Sequence, residues 1–391
     1  MEGDFIKIND WLLPLSWIYG AGVRLRNQMF EMGMLKSRSF DIPVISVGNI
    51  TVGGSGKTPH VEYLINLLRD KVKVAVLSRG YKRKSKGYML ATADTPMSDI
   101  GDEPYQMKKK FADIYVAVDK DRCHGIDQLT ANEETSDTDV ILLDDAYQHR
   151  YVKPGVNILL VDYHRLIMYD KLLPAGRLRE PQKGKARADI VIVSKCPAEL
   201  KPMEFRVITK AMNLFPYQKL YFTTLKYSSL RHIYGGEDRK LDTLTGDTSI
   251  LLLTGIASPQ QMIVDLKPYT ERITPLTFPD HHQYTDADID RINAEFEAMK
   301  GNDKMIVTTE KDNARLCGME GLSDEVKKNI YVLPVEVGFM LDQEEDFNEN
   351  IIGYVRKNSR NSILAKAKDD NKSDNSDNSG NRTRTISFRN N

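Results

Sequence analysis

The sequence predicts an α/β fold in which a doubly wound sheet of mostly parallel strands is joined to a second, smaller α/β domain and to an N-terminal amphipathic helix. Short apolar runs recur along the chain without strict alternation, as expected for strands that are buried on both faces. Helical patterns such as residues 60–69 lie between several of these runs, and a length of 391 residues suits two domains.

The pattern of residues 1–36 predicts the amphipathic helix. Its apolar residues recur at alternating spacings of four and three and form one stripe: Trp11, Leu15, Ile18, Gly22, Leu25, Met29 and Met32. Arg24, Arg26 and Lys36 follow the most apolar part. The stripe fits a helix packed on the protein body, and it fits equally a helix lying in a membrane surface. The residues alone leave both interpretations open.

Residues 37–228 form the predicted sheet domain. We interpret its apolar runs as strands at 43–47, 72–77, 114–118, 140–143, 156–161, 190–193 and 220–227. The polar, glycine-containing residues 229–246 predict an inter-domain linker.

Residues 247–357 form the predicted second domain. Its strands are expected at 250–253, 272–278, 305–308 and 330–335. A helix at about 287–299 has Thr285 or Asp286 as its expected N-cap. Residues 366–391 are rich in Asn, Ser, Asp, Lys and Arg, and this composition predicts a disordered tail.

The composition excludes one broad class of function. The chain has 55 basic and 55 acidic residues, so no overall positive field recruits nucleic acid, and no nucleic-acid partner is expected. The three cysteines lack metal-ligand spacing, which predicts a reducing compartment such as the cytoplasm. No apolar run reaches the roughly 20 residues of a membrane span, and the acidic N-terminus is unlike a secretory signal.

A glycine-rich loop after the first predicted strand carries the clearest functional signal. The expected nucleotide-binding residues are Thr51, Val52, Gly53, Gly54, Ser55, Gly56, Lys57 and Thr58. Glycines let backbone N–H groups surround phosphate oxygens at a helix N-terminus. Lys57 is expected to reach the β- and γ-phosphates, and Thr58 to ligate Mg²⁺. The pattern predicts a P-loop NTPase-type domain, although Thr51 stands where this motif usually has glycine.

Two adjacent acidic residues end another predicted strand. Asp144 and Asp145 follow the apolar run at 139–143. Acidic residues at this place hold Mg²⁺ in P-loop proteins, directly or through water. We therefore predict that Thr58, Asp144 and Asp145 form a magnesium site.

Several motifs together resemble one family. In order, they are VGNITVGGSGKT at 47–58, SRGY at 78–81, GDEP at 101–104, DDAYQHR at 144–150, LPAGRLRE at 173–180, FPDH at 278–281 and TTEKD at 308–312. This series resembles the tetraacyldisaccharide 4′-kinase family of lipid A biosynthesis over roughly residues 10–335. The family tolerates Ser or Thr at the first loop position, so Thr51 fits the resemblance.

The resemblance implies an ATP- and Mg²⁺-dependent lipid kinase. Such an enzyme transfers the ATP γ-phosphate to the 4′-hydroxyl of tetraacyldisaccharide 1-phosphate. It is expected to act as a peripheral monomer at the cytoplasmic face of the bacterial inner membrane, on an acylated disaccharide lipid. Because the acyl chains of this acceptor stay in the membrane, the membrane-surface interpretation of the N-terminal helix becomes the favoured one.

The resemblance also implies roles for individual residues. Asp102 matches the family's catalytic acid, and His281 matches its partner. Glu180 matches a further Mg²⁺ ligand. Among the arginines, Arg122 is our preferred contact to the transferring phosphate, since guanidinium groups bind phosphate through two hydrogen bonds.

Two other functions remain as alternatives. One is a P-loop kinase or ligase acting on a soluble metabolite, and the other is a P-loop ATPase that phosphorylates nothing and needs neither Asp102 nor His281. Guanine specificity is not expected, because the residues at 194–197 lack the aspartate of an N-K-x-D motif.

Overall fold

The structure, a computed structural model, describes residues 8–256, 259–280, 282–316 and 319–359. In chain order, its strands are β1 (Val44–Gly48), β2 (Val74–Ser78), β3 (Met89–Leu90), β4 (Tyr115–Val118), β5 (Val140–Asp144), β6 (Val156–Asp162), β7 (Ile190–Ser194), β8 (Lys219–Tyr227), β9 (Arg231–His232), β10 (Ser249–Thr254), β11 (Ile273–Thr277), β12 (Lys304–Thr309), β13 (Ile330–Leu333) and β14 (Val335–Phe339).

The α-helices of the described residues surround these strands. They are α1 (Leu13–Glu31), α2 (Lys57–Leu68), α3 (Met97–Ile100), α4 (Asp102–Lys110), α5 (Arg122–Ala131), α6 (Pro202–Met212), α7 (Gln260–Leu266), α8 (Asp286–Ala298), α9 (Glu310–Leu316), α10 (Asp324–Lys328) and α11 (Glu344–Asn358).

The larger sheet confirms the predicted doubly wound fold. Its nine strands lie in the order β14-β8-β7-β6-β1-β5-β2-β4-β3, and only the edge strands β3 and β14 are antiparallel to their neighbours. All residues of β1, β2, β5 and β7 are buried, which explains why their sequences do not alternate. The strands from β2 to β5 lie on one side of β1, and β6, β7, β8 and β14 lie on the other. Ligands of such sheets bind at the carboxyl end of this switch point.

The smaller sheet belongs to the second domain. Its order is β11-β10-β12-β13-β9, and β9 is its antiparallel edge strand. Helix α8 packs Ile289, Ile292 and Phe296 into the core of this domain. Thr285 is the N-cap of α8, because its side chain accepts a hydrogen bond from the Asp288 N–H while the Asp288 carboxylate accepts one from the Thr285 N–H.

The predicted limits of the second domain need correction. β14 pairs with β8 in the larger sheet, and α11 places Phe347, Ile351 and Val355 in the core of the first domain. The chain therefore returns to the larger sheet near Val335 instead of staying in the second domain to residue 357. One apolar run spans the end of β13 and the start of β14, so the pattern could not reveal the change of sheet. The predicted linker at 229–246 also contains β9, and the predicted tail at 366–391 lies outside the described residues.

Candidate active site

The glycine-rich loop connects β1 to α2 at the switch point of the larger sheet. Gly56 has a left-handed backbone conformation, with φ of 78°, and α2 begins at the next residue, Lys57. Side chains from just before the loop and from a more distant strand stabilise it. Asn49 Nδ2 donates to Ser55 Oγ over 2.8 Å, and Ser194 Oγ, from the end of β7, donates to the Ser55 carbonyl oxygen over 2.9 Å. The loop is therefore supported by the residue that follows its own strand and by the end of β7, two strands away in the sheet.

The irregular first position of the loop has a structural reason. Thr51 forms an antiparallel bridge with Leu178, and the Val52 N–H donates to the Arg177 carbonyl oxygen over 2.8 Å. A residue in an extended bridge does not need the conformational freedom of glycine. The Thr51 hydroxyl also accepts a hydrogen bond of 3.3 Å from Asn49. The segment at 173–180 is thus a short extended partner of the phosphate loop.

His60 supports the loop from the first turns of α2. Its Nδ1 donates to the Gly56 carbonyl oxygen over 2.7 Å, and its Nε2 accepts from the Thr223 hydroxyl over 3.0 Å. Burial lowers the pKa of His60 to about 4, so the ring is neutral at physiological pH. Sequence reasoning did not single out this residue.

Lys195 is a second residue that sequence reasoning missed. Its ammonium group donates to the Gly54 carbonyl oxygen and lies 3.0 Å from the Asp162 carboxylate. In the sequence, the segment at 194–197 served only to exclude guanine specificity. The available signal was the position of Lys195 directly after β7, which is separated from the loop strand β1 by β6 alone.

The two predicted metal acids lie at the end of β5, beside the loop. Asp144 is buried, accepts a hydrogen bond of 3.2 Å from the Ser78 hydroxyl, and has a second oxygen, Oδ1, with no hydrogen-bond partner among the described residues. Burial, followed by repulsion from Glu103 and Asp145, raises the pKa of Asp144 to about 7. A buried carboxylate oxygen without a partner suits a cation ligand.

Asp145 has a different environment from its neighbour. Its Oδ1 lies 3.5 Å from Lys57 Nζ, and its Oδ2 lies 3.4 Å from the Arg179 guanidinium. Burial acts to raise the pKa of Asp145, but Lys57 and Arg179 outweigh burial and lower it. Asp145 therefore stays ionised and orients the loop lysine. Because its two oxygens face these cations, we prefer Asp144 to Asp145 as the Mg²⁺ ligand.

Glu103 belongs to the acidic cluster, and Glu180 forms an ion pair with Arg187. Glu103 is close enough to Asp144 to raise its pKa, whereas the Glu180 carboxylate accepts a hydrogen bond of 2.8 Å from Arg187. We therefore prefer Glu103 to Glu180 as the further Mg²⁺ ligand, and the role of Glu180 stays a prediction from the family resemblance. Glu103 was visible in the motif at 101–104, but sequence reasoning used only the aspartate before it.

Arg122 lies under the acidic turn. Its guanidinium donates to the carbonyl oxygens of Asp119, over 2.9 Å, and Asp144, over 3.1 Å, and the residue is only 2% exposed. Burial lowers the pKa of Arg122 to about 10. These bonds favour a supporting role, in which Arg122 fixes the turn that carries Asp144, over the expected contact with the transferring phosphate.

Asp102 is the first residue of α4. The preceding Gly101 has φ of 90°, and a Cβ there would lie 2.9 Å from the Tyr81 carbonyl oxygen, so the motifs at 78–81 and 101–104 need this glycine to pack together. The Asp102 carboxylate accepts hydrogen bonds from Arg315 of the second domain. His281, its expected partner, lies outside the described residues.

A cavity of about 250 Å³ separates the loop from the second domain. Its lining includes Lys57 and Thr58 from the loop, Glu103 from α4, and Asp280 and Lys311 from the second domain. The Lys311 ammonium lies 3.6 Å from Glu103 and 3.7 Å from Asp280. Hydroxyl and carboxylate oxygens are the ligands that Mg²⁺ prefers, so this set fits a magnesium ion bound to nucleotide phosphates.

Comparisons with known proteins agree with this geometry. The family model of LpxK, described as tetraacyldisaccharide-1-P 4′-kinase, matches residues 8–356. A tetraacyldisaccharide 4′-kinase of Phocaeicola vulgatus is 60% identical over 363 residues, which cover 93% of this chain and 99% of that protein. One from Bacteroides fragilis is 54% identical over 377 residues, covering 95% of this chain and 100% of that protein.

A solved structure also matches. LpxK from Aquifex aeolicus, crystallised in complex with ATP, is 31% identical, with a TM-score of 0.66 and coverage of 88% of this chain and 98% of that one. The fold, the loop and the sequence matches over nearly the whole chain lead to one conclusion: the chain belongs to the tetraacyldisaccharide-1-P 4′-kinase family.

Proposed function

We propose that this chain transfers the γ-phosphoryl group of ATP to the 4′-hydroxyl of a tetraacylated disaccharide 1-phosphate, using the residues at the carboxyl end of the larger sheet. The observation that carries the proposal is one cavity, which is lined by Lys57 and Thr58 of the phosphate loop and by Glu103, the neighbour of Asp102. A nucleotide-binding loop, a cation site and a candidate base are therefore adjacent. A switch ATPase would not need the last of these.

The nucleotide half of the reaction rests on the loop. Backbone N–H groups and the positive end of α2 hold the phosphates, and Lys57 neutralises charge on the β- and γ-phosphates. Thr58, Asp144 and Glu103 would hold Mg²⁺, which would neutralise negative charge on the phosphates. Asp145 keeps Lys57 in place through the 3.5 Å ion pair.

The acceptor half needs a base. As the sugar oxygen attacks phosphorus, its hydroxyl proton must leave, and the carboxylate of Asp102 is the group that we assign to receive it. His281 remains its expected partner from the family resemblance. The segment that leads to His281 reaches the cavity through Asp280, which fits a role for the second domain in this half.

The N-terminal helix supports an acceptor held in a membrane. Helix α1 faces the protein with Ser16, Gly20 and Phe30, its buried residues. Ser16 Oγ donates to the Leu172 carbonyl oxygen over 3.0 Å and accepts from the Ala175 N–H over 2.9 Å. α1 therefore docks beside the segment at 173–180, which itself pairs with the phosphate loop.

The apolar stripe of this region points away from the protein. Large side chains that are more than half exposed are Trp11 (94%), Leu15 (54%), Trp17 (70%), Ile18 (72%), Leu25 (59%) and Met32 (65%). A continuous exposed apolar surface of this kind marks a binding site. Among the described residues, no helix combines the length and the apolar character needed to cross a bilayer. We infer that α1 lies in the membrane surface and that the chain acts there as a peripheral monomer, at the cytoplasmic face where ATP is available.

Product analysis with ATP labelled in its γ-phosphate tests the proposed function. The protein is incubated with tetraacyldisaccharide 1-phosphate in vesicles, or with the deacylated disaccharide as a soluble control. The proposal expects label in the lipid-soluble product and little in the soluble sugar. Label only in free phosphate would indicate an ATPase, and equal labelling of the deacylated sugar would indicate a kinase for soluble acceptors.

A further inference from the structure

Helix α9 of the second domain contacts helix α4 of the first through a series of ion pairs. Lys110 at the end of α4 lies 2.8 Å from Glu310, and Glu103 lies 3.6 Å from Lys311. At the start of α4, Asp102 pairs with Arg315 over 2.7 Å. All three α4 residues therefore have partners on one short helix of the other domain.

The pair of Asp102 with Arg315 differs from the others in its burial and geometry. The Arg315 side chain is fully buried, and the Asp102 side chain is 12% exposed. Nε and Nη2 of Arg315 both donate to the same carboxylate oxygen, Oδ2, over 2.9 and 2.7 Å. Two bonds from a planar group to one oxygen limit the rotation of the Asp102 carboxylate.

Arg315 is itself held firmly by its own domain. Its Nη1 donates to Asp312 Oδ1 over 3.0 Å and to the Gly255 carbonyl oxygen over 2.9 Å. Asp312 is fixed in turn, because its Oδ2 accepts from the Gly255 N–H over 2.9 Å and from the Thr309 hydroxyl over 2.7 Å. A hydrogen-bond network of the second domain thus fixes the Arg315 guanidinium that contacts Asp102.

Stability alone is a poor reason for this arrangement. Removing two carboxylates and a guanidinium from water is costly, and apolar replacements of buried ion triads are often neutral or stabilising. The same bonds have a clear effect on a base. Two bonds over 2.9 and 2.7 Å hold one oxygen of the Asp102 carboxylate in place, and a general base must be positioned at the proton that it accepts.

We propose that Arg315 is a positioning residue for phosphoryl transfer, which holds the Asp102 carboxylate in one orientation. This inference rests on the proposed role of Asp102 as the base. It deepens that role, because the base is then complete only when the second domain is docked on α4. Nucleotide binding by the loop does not need this contact.

The test compares Arg315→Met and Arg315→Lys with the control variant Arg239→Met. Arg239 forms a similar pair with Asp303, with bonds of 2.9 and 3.2 Å, inside the second domain. For each variant, kcat, KM for ATP and the melting temperature are measured with the lipid acceptor. Misplacement of a reacting group costs roughly 10²-fold in rate, so R315M is expected to lower kcat by about this factor with KM for ATP within about twofold.

The conservative variant and the comparison with the melting temperature separate positioning from structural support. R315M is expected to lower kcat far more than its loss of melting temperature explains, because the carboxylate is no longer held in one orientation. R315K keeps one cationic donor for the carboxylate, so its kcat is expected to fall by less, although one ammonium cannot make the same two bonds. R239M is expected to lower only the melting temperature.

Two outcomes would overturn the inference. One is an R315M enzyme whose kcat falls no further than that of R239M at an equal loss of melting temperature. The other, which also serves if R315M fails to fold, is an R315K enzyme with wild-type kcat. Asp102→Asn distinguishes these from failure of the proposed function: full turnover in D102N removes Asp102 as base, whereas an inactive D102N beside an unaffected Arg315 variant removes only the positioning role.

Discussion

The two halves of the site are built in different ways. In the nucleotide half, hydrogen bonds from residues at the carboxyl ends of the central strands hold the loop, such as those of Ser55 with Asn49 and Ser194. In the acceptor half, the proposed base Asp102 accepts hydrogen bonds from Arg315, which lies 213 positions away and in the other domain. The bonds that support the loop thus lie within one domain, whereas the proposed base is held by both. Binding and transfer are therefore expected to respond differently to mutation.

The largest effect is expected at Lys57. Lys57→Met removes the charge that neutralises the β- and γ-phosphates, so kcat should fall roughly 10³-fold or more, and ATP binding should weaken. Steady-state kinetics and calorimetric titration with ATP measure both effects. Lys71→Ala is the control, because this exposed lysine lies just beyond the end of α2, where its ammonium group donates to the Leu67 carbonyl oxygen. Nearly normal turnover in K57M would remove the loop from catalysis.

The next effect distinguishes two glutamates. Mutation of a residue that only supports a metal ligand lowers metal affinity or activity roughly 10- to 100-fold, so loss of a ligand itself is expected to lower them at least as much. Glu103→Gln should therefore raise the Mg²⁺ concentration for half-maximal rate at least 10-fold. Glu180→Gln should leave it within about twofold while lowering the melting temperature, because Arg187 loses its negatively charged hydrogen-bond partner. Magnesium titrations of both variants measure this difference, and a reversed result would restore Glu180 as the ligand.

A smaller effect is expected from the exposed stripe of α1. Replacing Trp17 and Ile18 with serine removes apolar surface worth about 3 kcal/mol in a membrane, so vesicle binding should weaken at least 10-fold. ATP affinity should not change, because α1 lies outside the nucleotide half. Met203→Ser is the control, since Met203 is 69% exposed but lies on α6. Unchanged flotation with vesicles in the double variant would contradict the membrane-surface role.

The smallest effect on activity at neutral pH is expected at His60. Because its folded pKa is lowered to about 4, the unfolded chain binds a proton first as pH falls below 6.5. His60 thus contributes stability that is complete above pH 6.5 and is lost toward pH 4, by at most about 3 kcal/mol. Denaturant unfolding of His60→Gln should show a flatter loss of stability in this pH range. An identical slope in both proteins would contradict the neutral, buried ring.

The same difference between the halves explains how far the sequence could predict the site. The loop and the acid pair of Asp144 and Asp145 were predictable because each motif directly follows one buried strand. Thr51 fits because its bridge to Leu178 requires no glycine. Arg315 was not predictable, since no local pattern reveals which buried charge a distant residue will contact.

Other differences also have physical causes. Arg122 was expected at the phosphate because arginine suits that contact, but its bonds to carbonyl oxygens place it under the acidic turn. The return of the chain at β14 was hidden because hydrophobic pattern identifies a strand without identifying its sheet. In contrast, the fully buried central strands were predicted well, since their unbroken apolar runs report burial on both faces.

The most direct test of the division between the two halves measures ATP binding and lipid phosphorylation in D102N. The account predicts wild-type ATP affinity by calorimetry together with a loss of roughly 10²- to 10³-fold in transfer of label to tetraacyldisaccharide 1-phosphate. Parallel losses in ATP affinity and transfer, or transfer at the wild-type rate, would contradict a base that is separate from the nucleotide half.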